Sequence, residues 1–186
     1  VFILNTILSF LTRTSVPFHI PYHFVSPEIR SDNGILFCSS HLPLAKVGIK
    51  AMIENNQFID AAIAKIPSKD MTIAVWGRIE SLPALKADFN VLLKAKSMIQ
   101  KKSSIYLMID DPSANTYSPN GLKICQITNS TLVFSFVCMR KTGVIDTWLE
   151  MAPFPYCKND EEINGNIDYL KCKSQEIFDS YTNRLN

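Results

Sequence analysis

Leu122-Lys-Ile-Cys-Gln-Ile-Thr128, Asn129-Ser130 and Thr131-Leu-Val-Phe-Ser-Phe-Val-Cys-Met139 form the stretch that decides how the sheet is read. Two apolar runs of strand length separated by two turn-forming residues predict a tight antiparallel hairpin. Upstream, Ile105-Tyr-Leu-Met-Ile109 is a further strand, followed by the turn-rich loop 110–121. Before it, Met71, Ile73, Val75 and Ile79 alternate with polar residues as in a strand. Ser81 then caps a helix with Pro83 in its first turn and an inner stripe of Leu85, Phe89, Leu92, Leu93, Lys96 and Ile99.

Further toward the N-terminus, Phe58, Ile59, Ala62, Ile63 and Ile66 recur at helical spacing after a cap at Asn55 or Asn56. Val47, Ile49, Ala51 and Ile53 alternate as a strand, and Ile35-Leu-Phe-Cys38 follows the turn Asp32-Asn33-Gly34. Phe18 to Phe24 alternates as an edge strand, since Pro21 cannot donate to a central ladder. At the other end, Ile167, Leu170, Ile177, Phe178 and Tyr181 mark an amphipathic helix over 164–183, reached through the proline-rich connector 151–156. The expected fold is a single α+β domain, mainly an antiparallel sheet with two or three packed helices. Residues 1–30 are read as an apolar N-terminal arm and 31–186 as the domain.

Composition agrees with a folded chain: of 186 residues 47% are hydrophobic and 19% charged, enough to bury a core. Net charge is +2, too small to imply nucleic-acid binding by itself. Its distribution is uneven. Residues 65–102 are basic, through Arg78, Lys86, Lys94, Lys96, Lys101 and Lys102 among others, while 150–186 is acidic. The six named side chains, with Trp76, are the candidate site for an anionic partner, a lipid surface or a ribonucleoprotein, held by charge without reading sequence. Val1, Phe2, Ile3, Leu4, Ile7, Leu8, Phe10 and Leu11 form an apolar face about half as long as a bilayer span requires, and are the candidate self-association segment. Neither a spanning helix nor a secretory leader is expected there.

Chemistry-bearing motifs are sparse. Six glycines include no G-x-G-x-x-G or P-loop pattern, so no nucleotide cofactor is expected. Five widely spaced cysteines without C-x-x-C support neither a disulfide framework nor a zinc site and favour a reducing compartment. His19 and His23 share a strand face and with His41 could ligate a metal only by tertiary approach. Asp110 and Asp111 end an apolar strand, where a general-base carboxylate or a plain turn is equally economical. Cys38 with His41 or His19 is the one candidate thiol nucleophile pair.

Residues 71–139, and above all Val75-Trp76-Gly77-Arg78-Ile79-Glu80-Ser81 running into a helix, resemble the core of rhabdovirus matrix proteins. The resemblance implies a non-enzymatic protein, cytoplasmic, membrane-peripheral or virion-associated, that forms homo-oligomers and bridges an anionic membrane to a nucleocapsid. No P-P-x-Y motif and no lysine-rich N-terminal tail accompany it. The alternatives are a small secreted binding protein with a Cys157–Cys172 disulfide and a glycan at Asn129, and a small enzyme using Asp110, Asp111 or His41.

Overall fold

A computed structural model describes residues 22–182 except 30, 43, 58, 65–69, 76, 77, 89 and 112–115; for 64, 70–75, 78–81, 181 and 182 only the backbone is described. Eight strands form one sheet. They are β1 (Tyr22–Val25), β2 (Ile35–Ser39), β3 (Ala61–Ala64), β4 (Asp70–Val75), β5 (Arg78–Lys86), β6 (Ile105–Met108), β9 (Thr131–Met139) and β10 (Ile145–Met151), in the spatial order β1-β10-β9-β2-β6-β3-β5-β4. The short strands β7 (Asp110–Asp111) and β8 (Thr116–Tyr117) pair separately. The helices are α1 (Ala45–Glu54), α2 (Val91–Ile99), α3 (Pro119–Thr128) and α4 (Asp160–Thr182).

The α+β content is as expected, but the sheet is mixed and its centre is parallel. β9, β2, β6, β3 and β5 are joined only by parallel ladders; the antiparallel pairs are β10 with β9 and β4 with β5. The edge strand β1, within the stretch read as an arm, adds parallel to β10.

Four assignments reverse. Residues 45–54 are a helix where alternation suggested a strand, and 122–128 belong to α3. Residues 61–64 are a strand where a helix was expected, and Ser81–Lys86 continue β5, leaving a helix only over 91–99. The physical reason is burial. In α1, residues 45, 47 and 48–52 are all buried, so its exposed stripe is too narrow to impose a helical period. Parallel strands covered on both faces are short apolar runs with no alternation to read. At 122–128 the Asn129-Ser130 pair does turn the chain, with Asn129 at φ 51°, but as the left-handed C-cap of a helix that Pro119 starts.

Strand alternation in β9 fixes which face each helix covers. Phe134 and Phe136 point to one side, where Tyr169 of α4 stacks on Phe134 at 6.0 Å and Trp148 lies 5.4 Å from Phe136. Ser135 and Val137 point to the other, where Gly48 of α1 approaches so closely that a Cβ there would lie 3.3 Å from Thr147 Oγ1. Helix α3 packs between α2 and α4, on the Phe134 side. Each fully buried Phe or Leu in these two layers contributes about 1.5–3 kcal/mol. On the α1 side Tyr22 donates to Glu54 at 2.6 Å, which ties β1 to the helix; burial and then the Glu54 carboxylate push the phenol up to about 12.

Candidate functional site

β2 and β6 lie side by side and run the same way, yet the helices that follow them, α1 and α3, cover opposite faces of the sheet. Where neighbouring connections diverge in this manner, a crevice opens at the carboxyl ends of the strands, and it is there that open α/β sheets place their ligands. The chain leaves β2 as Ser39-Ser40-His41 and leaves β6 as Ile109-Asp110. The Ile109 N–H donates to the Ser39 carbonyl at 3.2 Å, so the ladder extends far enough to bring Asp110 against His41.

Asp110 accepts twice from His41. The His41 backbone N–H donates to Oδ1 at 2.8 Å and to Oδ2 at 3.0 Å, and Nδ1 lies 2.8 Å from Oδ1. A carboxylate only accepts, so Nδ1 carries the hydrogen in the neutral ring and Nε2 is left with a lone pair. The Asp110 side chain is 12% exposed while that of His41 is 47% exposed, so the orienting group is held inside and the ring reaches out. Three residues on, Leu44 takes the left-handed conformation, φ 69°, as α1 begins, a strain of about 1–3 kcal/mol beside the site.

A cavity of about 970 Å³ adjoins the pair. Ile63, Leu107, Ile109, Val91, Leu92 and Ile124 give it apolar walls, and His41, Asp110, Asp111, Asp88 and Tyr117 its polar side. Asp88 is held by accepting from the Asn90 N–H at 2.9 Å. Ser118, Asn120 and Gly121, at the start of α3, also line it, and Ser118 makes no side-chain cap to the first-turn amides. Those amides supply the partial positive charge of a helix start. Behind the site the buried Ser40 hydroxyl lies 2.8 Å from Ser174 Oγ of α4 and donates to the Tyr117 hydroxyl at 3.3 Å. Gly121 sits over β6, and a Cβ there would come within 2.7 Å of Leu107 and Ile109 side chains.

Of the sequence-derived candidates, Asp110 and His41 come together and Asp111 stands beside them. Cys38 does not suit a nucleophile: it is fully buried, and burial with the Asp110 charge pushes its thiol well above the ordinary range. His23 is on β1, with β10 and β9 between it and β2, and its Nδ1 is 3.6 Å from Asp146; His19 lies outside the described residues. Among the described residues no group of three His, Cys, Asp or Glu side chains has the geometry to hold a metal ion.

The basic candidates are spread rather than gathered. Lys86 ends β5 at the carboxyl edge of the sheet, whereas Lys101 and Lys102 lie in the turn before β6 at the opposite edge; Lys94 and Lys96 are on α2 between them. Arg78 begins β5, and Trp76 and the apolar segment Val1–Leu11 lie outside the described residues. No disulfide joins any of the five cysteines: Cys157 is buried and Cys172 is exposed on α4. Asn129 is exposed, while Ser130 and Thr131 of its sequon are fully buried. No helix among the described residues is long and apolar enough to cross a membrane.

Sequence reading missed Ser40, Tyr117, Ser174 and the start of α3. The signal that finds the last is Ser118-Pro119, a cap position followed by proline in the first helical turn. Searches with this sequence found no protein-family model and no curated protein that matches the chain.

Proposed function

We propose that the chain is a small enzyme in which His41, oriented by Asp110, acts as general base on a largely apolar substrate held in the cavity walled by β3, β6, α2 and α3. The observation that carries this reading is the 2.8 Å contact of Asp110 with His41 Nδ1, which leaves Nε2 basic beside the cavity. The simplest chemistry for this set is hydrolysis of an acyl group. Nε2 takes a proton from water as the water oxygen attacks the carbonyl carbon, and the imidazolium is stabilised by Asp110. Negative charge developing on the carbonyl oxygen faces the first-turn amides of α3. The proton on His41 then passes to the leaving oxygen or nitrogen.

The test is hydrolysis of nitrophenyl esters of increasing acyl length by the full chain and by His41→Gln. Turnover that rises with acyl length and is lost in the variant is expected. Turnover unchanged in His41→Gln, or absent for every ester, removes the reading.

A second reading keeps the resemblance to matrix proteins: self-association through residues 1–11 and binding to an anionic surface through the lysines of α2 and its flanks. It is favoured by Leu93, 65% exposed beside exposed Lys94, a pairing suited to a lipid interface. Light scattering at two salt concentrations, with and without anionic liposomes, tests it. A salt-indifferent monomer that ignores the liposomes rejects it.

A further inference from the structure

Beside the His41–Asp110 pair, a chain of three hydroxyls runs from the C-terminal helix to the cavity. Ser174 Oγ of α4 lies 2.8 Å from Ser40 Oγ, and the Ser40 hydroxyl donates to Tyr117 Oη at 3.3 Å. A serine hydroxyl has a single hydrogen, and Ser40 gives its own to Tyr117, so Ser174 is the donor in the first contact. Both serines are buried, whereas Tyr117 is half-buried and lines the cavity. Among the described residues the Tyr117 hydroxyl has no acceptor for its own hydrogen, which is left to the cavity.

The backbone places the same ring a second time. Tyr117 on β8 is the register partner of Asp110 on β7, and residues opposite each other in an antiparallel pair project to one face. The Ser118 N–H donates to the Ile109 carbonyl at 2.7 Å and holds the end of that short ladder. Tyr117 therefore reaches from beside Asp110 to Ser40, the residue that precedes His41. Along its own chain it is followed directly by Ser118 and the first turn of α3, so the phenol and the first-turn amides border one cavity with His41.

We propose that Tyr117 is a second catalytic residue: its O–H, aimed by Ser40 and through Ser40 by Ser174, donates to the carbonyl oxygen of the bound acyl group as negative charge develops there. This rests on the reading of His41 as a general base and adds a side-chain donor to the amides of α3. A carbonyl oxygen accepts weakly and an oxyanion strongly, so the contact is made chiefly in the transition state and acts on kcat rather than KM. The buried serines fix the phenol before substrate arrives, so no reorganisation is needed as the charge forms. No proton leaves Tyr117; the proton that His41 takes from water still passes to the leaving group. Ser40 and Ser174 are positioning residues that act on the rate through Tyr117.

Initial rates with a long-chain nitrophenyl ester, for the full chain and its variants, test this. Tyr117→Phe is expected to lower kcat about 10²-fold while KM stays within about twofold. Ser174→Ala is expected to lower kcat about 10-fold in the unaltered chain and to cost nothing further in Tyr117→Phe, a coupling that a merely structural role for the buried serine would not produce. An alkyl trifluoromethyl ketone, whose hydrate carries the tetrahedral oxygens of the intermediate, should bind Tyr117→Phe about 10²-fold more weakly, while the alkyl amide of equal length binds as before. Turnover that is lost in His41→Gln but unchanged in Tyr117→Phe overturns this inference and leaves the reading of His41 standing. No turnover in the unaltered chain removes both. Losses that simply add in the double variant overturn the part assigned to Ser174. If Tyr117→Phe does not fold, Ser40→Ala takes its place, since it keeps the ring and removes the donor that aims it, and an unchanged kcat there overturns the proposal.

Discussion

Two histidine–aspartate pairs, one just past the ends of β2 and β6 and one on β1 and β10, have different uses. His41 and Asp110 meet at 2.8 Å with the carboxylate largely inside, and the ring holds that carboxylate together with its own backbone N–H. His23 and Asp146 stand 3.6 Å apart at an edge, and Arg140 grips the same carboxylate through Nε at 2.5 Å and Nη2 at 2.6 Å. The arginine satisfies most of the charge of Asp146, holding its carboxyl below the ordinary range, and turns the pair into a clasp on the β9–β10 hairpin. A histidine beside an aspartate is therefore not yet a base. What else the carboxylate binds, and whether the ring borders a cavity, decides it.

The comparison breaks most readily on activity. His41→Ala is expected to lower kcat/KM for an ester substrate about 10³-fold, a barrier rise of about 4 kcal/mol, while His23→Ala leaves it unchanged. Initial rates measured side by side check this, and equal losses would mean the two pairs do not differ as described. Next in size is Gly34→Ala, which separates damage to the fold from damage to the site. A Cβ there would lie 2.1 Å from the Ser103 carbonyl oxygen, so backbone must shift, at a cost of about 3 kcal/mol in denaturant unfolding. Asp110→Asn keeps an acceptor oxygen but loses the charge that fixes the ring, and about a 10²-fold loss in kcat/KM with an unaltered melt is expected.

The smallest effect belongs to the clasp. Asp146→Asn should lower Tm by about 1 °C at pH 7, since the pair is solvent-screened. The sign with pH follows from the lowered carboxyl. Its stabilisation is present above the unfolded carboxylate range and is lost as pH falls through the folded value, so the gap between the two proteins closes in acid. Melts at pH 7 and pH 3 measure it, and a gap that widens in acid would place the shift in the wrong direction.

Strands that carry a clear apolar run between turn signals were legible. Ile35–Ser39, Ile105–Met108 and Thr131–Met139 were found nearly to the residue, and the long C-terminal helix, whose charged outer face preserves a 3.6 period, was found with its end one residue off and its start four residues late. What the sequence did not yield was the direction of pairing. Parallel order depends on α1 and α3 being helices. Both are short and well buried, and in both the apolar residues happen to alternate over one or two turns. Misreading them as strands converts each crossover into a hairpin and removes the crevice. Asp110 and His41 were legible as residues with chemical capacity but not as a pair, because 69 positions separate them and only the parallel β2–β6 ladder joins them.

The central position of β2 has a consequence for how the chain is made. Its two neighbours, β6 and β9, begin at Ile105 and Thr131, so Ile35–Ser39 leaves the ribosome long before either can flank it. At about 5–20 residues per second, the roughly 90 residues between β2 and β9 correspond to roughly 5–20 s of synthesis. An apolar strand destined for the middle of the sheet has both edges open until β6 emerges and one edge open until β9 does, so this protein should lean on chaperones during translation and refold slowly, since its central pairings are far apart in sequence.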